Sequence, residues 1–352
     1  MPELVRPVGH DDVLAGLVAS ARAGALPHAL LFRGPAGIGK FRAARWLAAT
    51  LTCERGESEP CLECGACTRA LAGSHPDHFV VDAREHEQDE VTIFFVAERG
   101  ERPQTAYQGQ SIESFLALRA AEGRGKFVIT READRMNEAA QNAFLKMLEE
   151  PRPGVHLILE TARPRALLAT VRSRVVDVRF EPLGAEDCAS VVRATGAYDG
   201  DDAHLEALVR SASGSPGGAL ELHARGVPAM AELVARALGG AAPAHEVAAE
   251  LWDQRGDFPG RTAFVQRRTR AETILDVGLE LLTDVERSLA GVDESRLRHG
   301  RLARGLASSD RFEREGSRRR IADAWLGARE DLRLNLSPEG LVERALSAAS
   351  TS

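Results

Sequence analysis

No stretch of this chain comes near the roughly eighteen consecutive apolar residues of a membrane-spanning helix, so no transmembrane segment is expected. The opening Met1-Pro2-Glu3-Leu4-Val5-Arg6-Pro7 lacks a charged region followed by an apolar one, so a secretory signal is not expected either. No internal repeat is visible. Basic residues are not in excess: the formal net charge is −7, which argues against a chain that grips nucleic acid over its whole surface and leaves room only for a local basic patch. Cysteine is scarce, with five in 352 residues, and its distribution is uneven. Cys53, Cys61, Cys64 and Cys67 lie together, and Cys188 stands alone. In a chain whose expected compartment is the cytoplasm, such a cluster reads as metal ligands before disulfides.

What is present is an ordinary soluble globular mix, 44% hydrophobic and 28% charged, in a chain long enough for two or three domains. The first part alternates apolar strand-like runs with helical patterns, the rhythm of an α/β domain with a parallel sheet. Strands are predicted at His28–Arg33, His78–Asp82, Phe127–Thr130, Val155–Glu160 and Val175–Phe180. Amphipathic stretches fall at Phe41–Thr50, Ile112–Ala121 and Glu138–Glu149, and Arg99–Gln110 is polar and reads as a surface loop. From Gly184 the pattern turns helical, with breaks at Gly196, Gly200 and Ser211–Gly218, and a boundary at Arg225-Gly226-Val227-Pro228. Thr273–Leu289 carries Ile274, Leu275, Val277, Leu279, Leu281 and Leu282 on one broad face, the pattern of a helical-bundle core.

Gly34-Pro35-Ala36-Gly37-Ile38-Gly39-Lys40 follows an apolar strand and opens a helix, the context of a phosphate loop. Gly34, Gly37 and Gly39 let backbone N–H groups wrap phosphates, and Lys40 can reach the outer ones. The next residue should be Ser or Thr, whose hydroxyl ligates magnesium. It is Phe41, which has no oxygen to offer. The second magnesium contact should be an Asp at the end of a later strand, yet Phe127–Thr130 is followed by Arg131 and then by Glu132-Ala133-Asp134. Glu132 could orient a water, a role without use when no metal is held. Two losses in two distant segments point the same way, and hydrolysis is not expected.

Cys53, Cys61, Cys64 and Cys67 include two Cys-x-x-Cys steps, tight turns that aim thiolates at one ion, with Cys53 closing a tetrahedral shell at about 2.3 Å per Zn–S bond. Iron–sulfur ligation and free thiols are the alternatives; zinc is preferred. Four thiolates leave no open coordination position, so the site is expected to be structural. Cys188 reads as a buried apolar residue. Further on, Leu167-Leu168-Ala169-Thr170-Val171-Arg172-Ser173-Arg174 precedes the last strand. An arginine there is either a solvated, ion-paired surface group or a finger aimed at a neighbouring subunit's nucleotide, and composition does not decide between the two.

The ordered set His28-Ala29-Leu30-Leu31-Phe32, the four-cysteine loop, His75-Pro76-Asp77, Ala133-Asp134-Arg135-Met136-Asn137, Asn142-Ala143-Phe144-Leu145-Lys146-Met147-Leu148-Glu149-Glu150-Pro151 and Thr170-Val171-Arg172-Ser173-Arg174 resembles the clamp-loader branch of the AAA+ family. The likeness runs through residues up to about 225 and is thinner beyond, carried by Asn335-Leu336-Ser337-Pro338. It implies an AAA+ P-loop core over 1–182 with an inserted zinc loop (53–67), a helical lid over 183–225, and an all-helical collar over 226–352 that joins subunits into a hetero-pentameric ring. In that family, motor subunits bind ATP and, with a clamp-opening subunit, load a sliding clamp on primed DNA. The resemblance makes Arg174, with Ser173, an arginine finger acting in trans; Val175 stands where the family's Ser-Arg-Cys motif has Cys. It also places Gly217 where motor subunits carry a lid arginine, and puts the helix Glu138–Glu149 near the pore, where Lys146 is either a contact to the DNA backbone or a solvated helix lysine. With the magnesium site lost and the finger kept, it implies an accessory subunit with weak or absent nucleotide binding. An active motor ATPase is the first alternative. A zinc-dependent DNA-binding module is the second, disfavoured by the acidic loop Glu54-Arg55-Gly56-Glu57-Ser58-Glu59-Pro60.

Overall fold

The computed structural model describes residues 6–122, 124–260, 262–334 and 336–349. It divides into two compact units, residues 1–187 and 188–352. No helix among the described residues is long and apolar enough to cross a membrane.

The first unit is built on a five-stranded parallel sheet, β1 (Ala29–Arg33), β2 (His78–Val81), β3 (Lys126–Thr130), β4 (Val155–Thr161) and β5 (Val176–Arg179), in the order β2-β3-β4-β1-β5. All five predicted strands form, with ends shifted by at most one residue. The central strands β1, β3 and β4 are nearly continuous apolar runs because helices cover both faces. β5 is an edge strand, and its exposed Val-Asp-Val-Arg pattern puts charge on the rim. The helices are α1 (Asp11–Arg22), α2 (Lys40–Thr52), α3 (Gly65–Ala72), α4 (Ile93–Val96), α5 (Ile112–Ala117), α6 (Glu138–Glu149) and α7 (Ala169–Arg172).

Two local expectations change here. The helix predicted over Ile112–Ala121 stops at Ala117, and Leu118 turns extended. The cause is the buried Asp77, whose carboxylate accepts the N–H groups of Ala121 (2.7 Å) and Glu122 (2.9 Å). A buried carboxylate without donors is costly, and meeting that demand outranks one more turn of helix. The polar loop Arg99–Gln110 lies at the surface but is tied down, by Gln88 donating to the Thr105 carbonyl at 3.2 Å, by Arg102 over the Phe94 ring and by Tyr107. The Tyr107 ring stacks on Phe95 at 3.8 Å, and its hydroxyl donates to the Gln110 carbonyl at 2.9 Å.

Among its described residues the second unit is helical throughout. α8 (Ala185–Ala194) crosses into it, followed by α9 (Asp202–Ser211), α10 (Pro216–Ala224), α11 (Val227–Leu238), α12 (Ala244–Asp253), α13 (Ala263–Leu289), α14 (Gly300–Ala307), α15 (Asp310–Glu313), α16 (Glu315–Asp331) and α17 (Pro338–Ser347). The break expected over Ser211–Gly218 is shorter: Pro216 already opens α10, and the Ser215 hydroxyl caps it by accepting the Gly218 N–H at 2.9 Å. At Arg225–Pro228 only Arg225 and Gly226, the latter at φ 71°, part α10 from α11.

Inside the 27-residue α13, Gly278 lies under the fully buried Trp325 ring of α16, where a Cβ would overlap the ring atoms. In an open helix, Gly→Ala would add up to about 1 kcal/mol of stability. Here overpacking reverses the sign, and Gly278→Ala is expected to cost about 3 kcal/mol. Thermal unfolding of the variant checks this, and a raised midpoint would rule the packing account out.

Candidate nucleotide, metal and arginine sites

The loop between β1 and α2 bends as a phosphate loop must. Gly39 takes φ 99°, and a Cβ on Gly34 would overlap the Phe180 carbonyl at the end of the sheet. Lys40, the first residue of α2, is only 1% exposed. Its ammonium donates to the carbonyls of Gly34 (3.0 Å) and Pro35 (2.6 Å), and it pairs with Glu160 Oε1 at 3.0 Å. An ammonium has three donors, and all three are committed within the chain. Glu160 sits near the end of β4, is 8% exposed, and accepts the Glu132 N–H at 3.0 Å on its other oxygen.

Phe41 and Arg131, the residues at which magnesium ligands were expected, meet each other. The Arg131 guanidinium lies 5.0 Å from the centre of the Phe41 ring and pairs with Asp82 at 2.8 Å. Phe41 and Arg131 thus form one cation–π contact, which puts a fixed positive charge where a divalent cation would be wanted. Glu132 is held at φ 46°, and its carboxylate pairs with Arg84 (2.8 Å) and Arg135 (2.5 Å), so it is already matched with two cations.

The four clustered cysteines converge. Their sulfur atoms all lie within 4.8 Å of one another, with Cys53 and Cys67 buried. Cys53 follows the end of α2, and Cys64 caps α3 by accepting the Cys67 N–H on its sulfur at 3.4 Å. The Cys64 N–H approaches Cys61 Sγ at 3.3 Å in the same way. The backbone N–H groups of Glu63 and Cys64 pull the Cys61 thiol down to about 6. Four thiols so gathered can hold a metal ion. The His75-Pro76-Asp77 motif braces the same region: the His75 ring stacks on His78 at 4.0 Å, and Asp77 ties down the Ala121–Glu122 backbone. Burial leaves His78 neutral, with its pKa lowered to about 3. Cys188 lies buried elsewhere, its thiol pushed up to about 11 by that burial.

Arg174 follows α7 at the surface. One guanidinium nitrogen pairs with Glu149 at 2.8 Å, and another donates to the Thr170 carbonyl (3.0 Å) and reaches Ser173 Oγ (3.4 Å). Glu149 ends α6, so this arginine is seated on the Leu-Glu-Glu-Pro end of that helix. Lys146, one turn earlier, is 65% exposed and stands 3.6 Å from Glu113. Gly217 belongs to α10 of the second unit. Sequence reasoning did not mark Glu160 or Glu149. The only signal for Glu160 was a lone acid closing an otherwise apolar strand.

The sequence model of the family described as DNA polymerase III, delta subunit, matches residues 9–184. The delta-prime subunit of DNA polymerase III from Pseudomonas aeruginosa is 37% identical over 202 residues, 57% of this chain and 57% of that one. That of Bacillus subtilis is 35% identical over 158 residues, 45% of this chain and 43% of that one. The gamma/tau subunit of Mycobacterium tuberculosis is 32% identical over 216 residues, 59% of this chain and 34% of that one. The chain therefore spans about half the length of the curated relatives it matches. The five-stranded parallel sheet and the glycine loop ending in Lys40 agree with the match to these relatives, and the chain belongs to the DNA polymerase III delta-subunit family, in its delta-prime branch.

Proposed function

We propose that this chain is a non-hydrolysing clamp-loader subunit of the replicative DNA polymerase III holoenzyme. It is not an enzyme on its own. It takes a place in a hetero-pentameric ring beside motor subunits and a clamp-opening subunit, and presents Arg174 to the ATP of an adjacent motor. The ring then places a sliding clamp on primed DNA in the cytoplasm.

The observation that carries this reading is the contrast between two ends of one domain. At the phosphate loop, Phe41 and Arg131 offer no oxygen to magnesium, and both carboxylate oxygens of Glu132 are already ion-paired. Beyond α6, Arg174 stays at the surface, 37% exposed, on a short turn beside Ser173. A guanidinium there can trade Glu149 for a phosphate oxygen, exchanging one charge-assisted bond for another. The cysteine cluster supports a structural role for zinc: a closed four-thiolate shell orders the loop between α2 and α3 and leaves no site for a reacting water.

The test is reconstitution. The isolated chain is expected to show no ATP turnover above buffer, while clamp loading by motor and clamp-opening subunits depends on its addition. Turnover near that of a motor subunit, or clamp loading indifferent to the chain, would overturn the proposal.

A further inference from the structure

We propose that Glu160 is a built-in counter-ion occupying the place of a nucleotide's outer phosphates, and that it holds shut a phosphate site which the loop otherwise retains. This goes beyond the absence of hydrolysis. Losing the magnesium ligands disables phosphoryl transfer, but it leaves a glycine loop, a lysine and a helix N-terminus that could still hold a polyphosphate without metal. The thirteen-residue α2 starts at Lys40, with Gly37 and Gly39 at φ 74° and 99° ahead of it.

The geometry shows what stands in the way. Two of the three Lys40 donors go to the loop's own carbonyls, of Gly34 and Pro35, which fix the ammonium at the loop mouth. The third is the one a phosphate oxygen would take, and Glu160 Oε1 holds it at 3.0 Å. Glu160 is not free to swing away. Its second oxygen is bound by the Glu132 N–H at 3.0 Å, and Glu132 is in turn fixed by Arg84 and Arg135. Displacing the carboxylate would strand a buried charge and a backbone donor together. A polyphosphate entering beside it would bring like charges close in a poorly solvated setting. With Lys40 at 1% exposure and Glu160 at 8%, the pair is sealed from water. The ligand class excluded is a metal-free polyphosphate anion, of which a nucleoside triphosphate and inorganic pyrophosphate are two forms.

The prediction is a gain of binding. Calorimetry with ATP and, separately, with pyrophosphate is run on the full chain in magnesium-free buffer, without chelator so that the cysteine site is undisturbed. The native chain is expected to bind either only at the weak limit of detection. Glu160→Gln keeps the shape and removes the charge, and Glu160→Ala opens the space. Either variant should bind on the order of a hundredfold more tightly than the native chain. Adding Lys40→Ala to Glu160→Gln should abolish the gain. Binding of ATP but not pyrophosphate assigns the latent site to nucleotides, and binding of both assigns it to polyphosphate in general; either supports the proposal. Two results would overturn it: folded Glu160→Gln binding no better than the native chain, or a native chain that already binds as tightly as the variant. Neither depends on Arg174, so failure here leaves the arginine-donor reading standing.

Discussion

Cys64→Ser is expected to release the metal from the chain and to disorder the loop between α2 and α3, while the sheet stays folded. Metal analysis of the native chain should give one zinc per chain, and of the variant none. The size of the effect follows from what else holds this loop. Arg6 pairs with Glu59 and Arg55 with Glu63, both at the surface, where such pairs contribute about 1 kcal/mol or less. Arg124 donates to the carbonyls of Cys53 and Glu54, and Ala66 N–H to Glu54 at 3.1 Å. A structural four-thiolate zinc contributes on the order of ten kcal/mol at neutral pH, far more than these together. The core of the sheet, by contrast, is made of Leu30, Leu47, Val128 and Leu157, all buried independently of the ion. Trypsin should therefore cut the variant at the exposed Arg55 at a rate the native chain resists, with the rest of the domain surviving. Acidification should act in the same direction, because a thiol must lose its proton to bind and metal is released as protons return. Iron, or no metal at all, in the native chain would contradict the zinc assignment. A Cys64→Ser chain that keeps its metal would contradict the four-ligand one.

Much of the first unit was legible because its signals are local. β1, β3 and β4 are apolar runs bounded by polar or glycine residues, and the phosphate loop and the cysteine spacing each declare themselves within a few positions. What was not legible depends on who meets whom. Phe41 and Arg131 could each be read as a loss, but nothing in the sequence says that they touch. α5 ends early because Asp77, far back in the chain, requires two N–H groups. Glu160 looked like the polar end of a strand, since Leu157, Ile158 and Leu159 before it are apolar. Its pairing with Lys40 exists only once β1 and β4 lie side by side. In the same way, Glu149 reads as one of two adjacent acids at a helix end until the turn after α7 delivers Arg174 to it.

Arg174→Ala addresses the central claim, that the chemistry this chain supplies lies in a guanidinium offered to a neighbour. Its cost to folding is expected to be small, because Arg174 and its partner Glu149 are 37% and 50% exposed and surface pairs contribute little. Its cost to catalysis is expected to be large at one site. Arginine fingers supplied in trans are worth about 10³–10⁵ in rate, so the motor site facing this chain should fall nearly silent while the others keep their own arginines. The measurement is DNA-stimulated ATP turnover by a ring assembled with the variant, after incorporation equal to that of the native chain has been confirmed. The account predicts a drop equal to that site's share of the total, with the variant ring still assembled. Undiminished turnover with Arg174→Ala fully incorporated would contradict it.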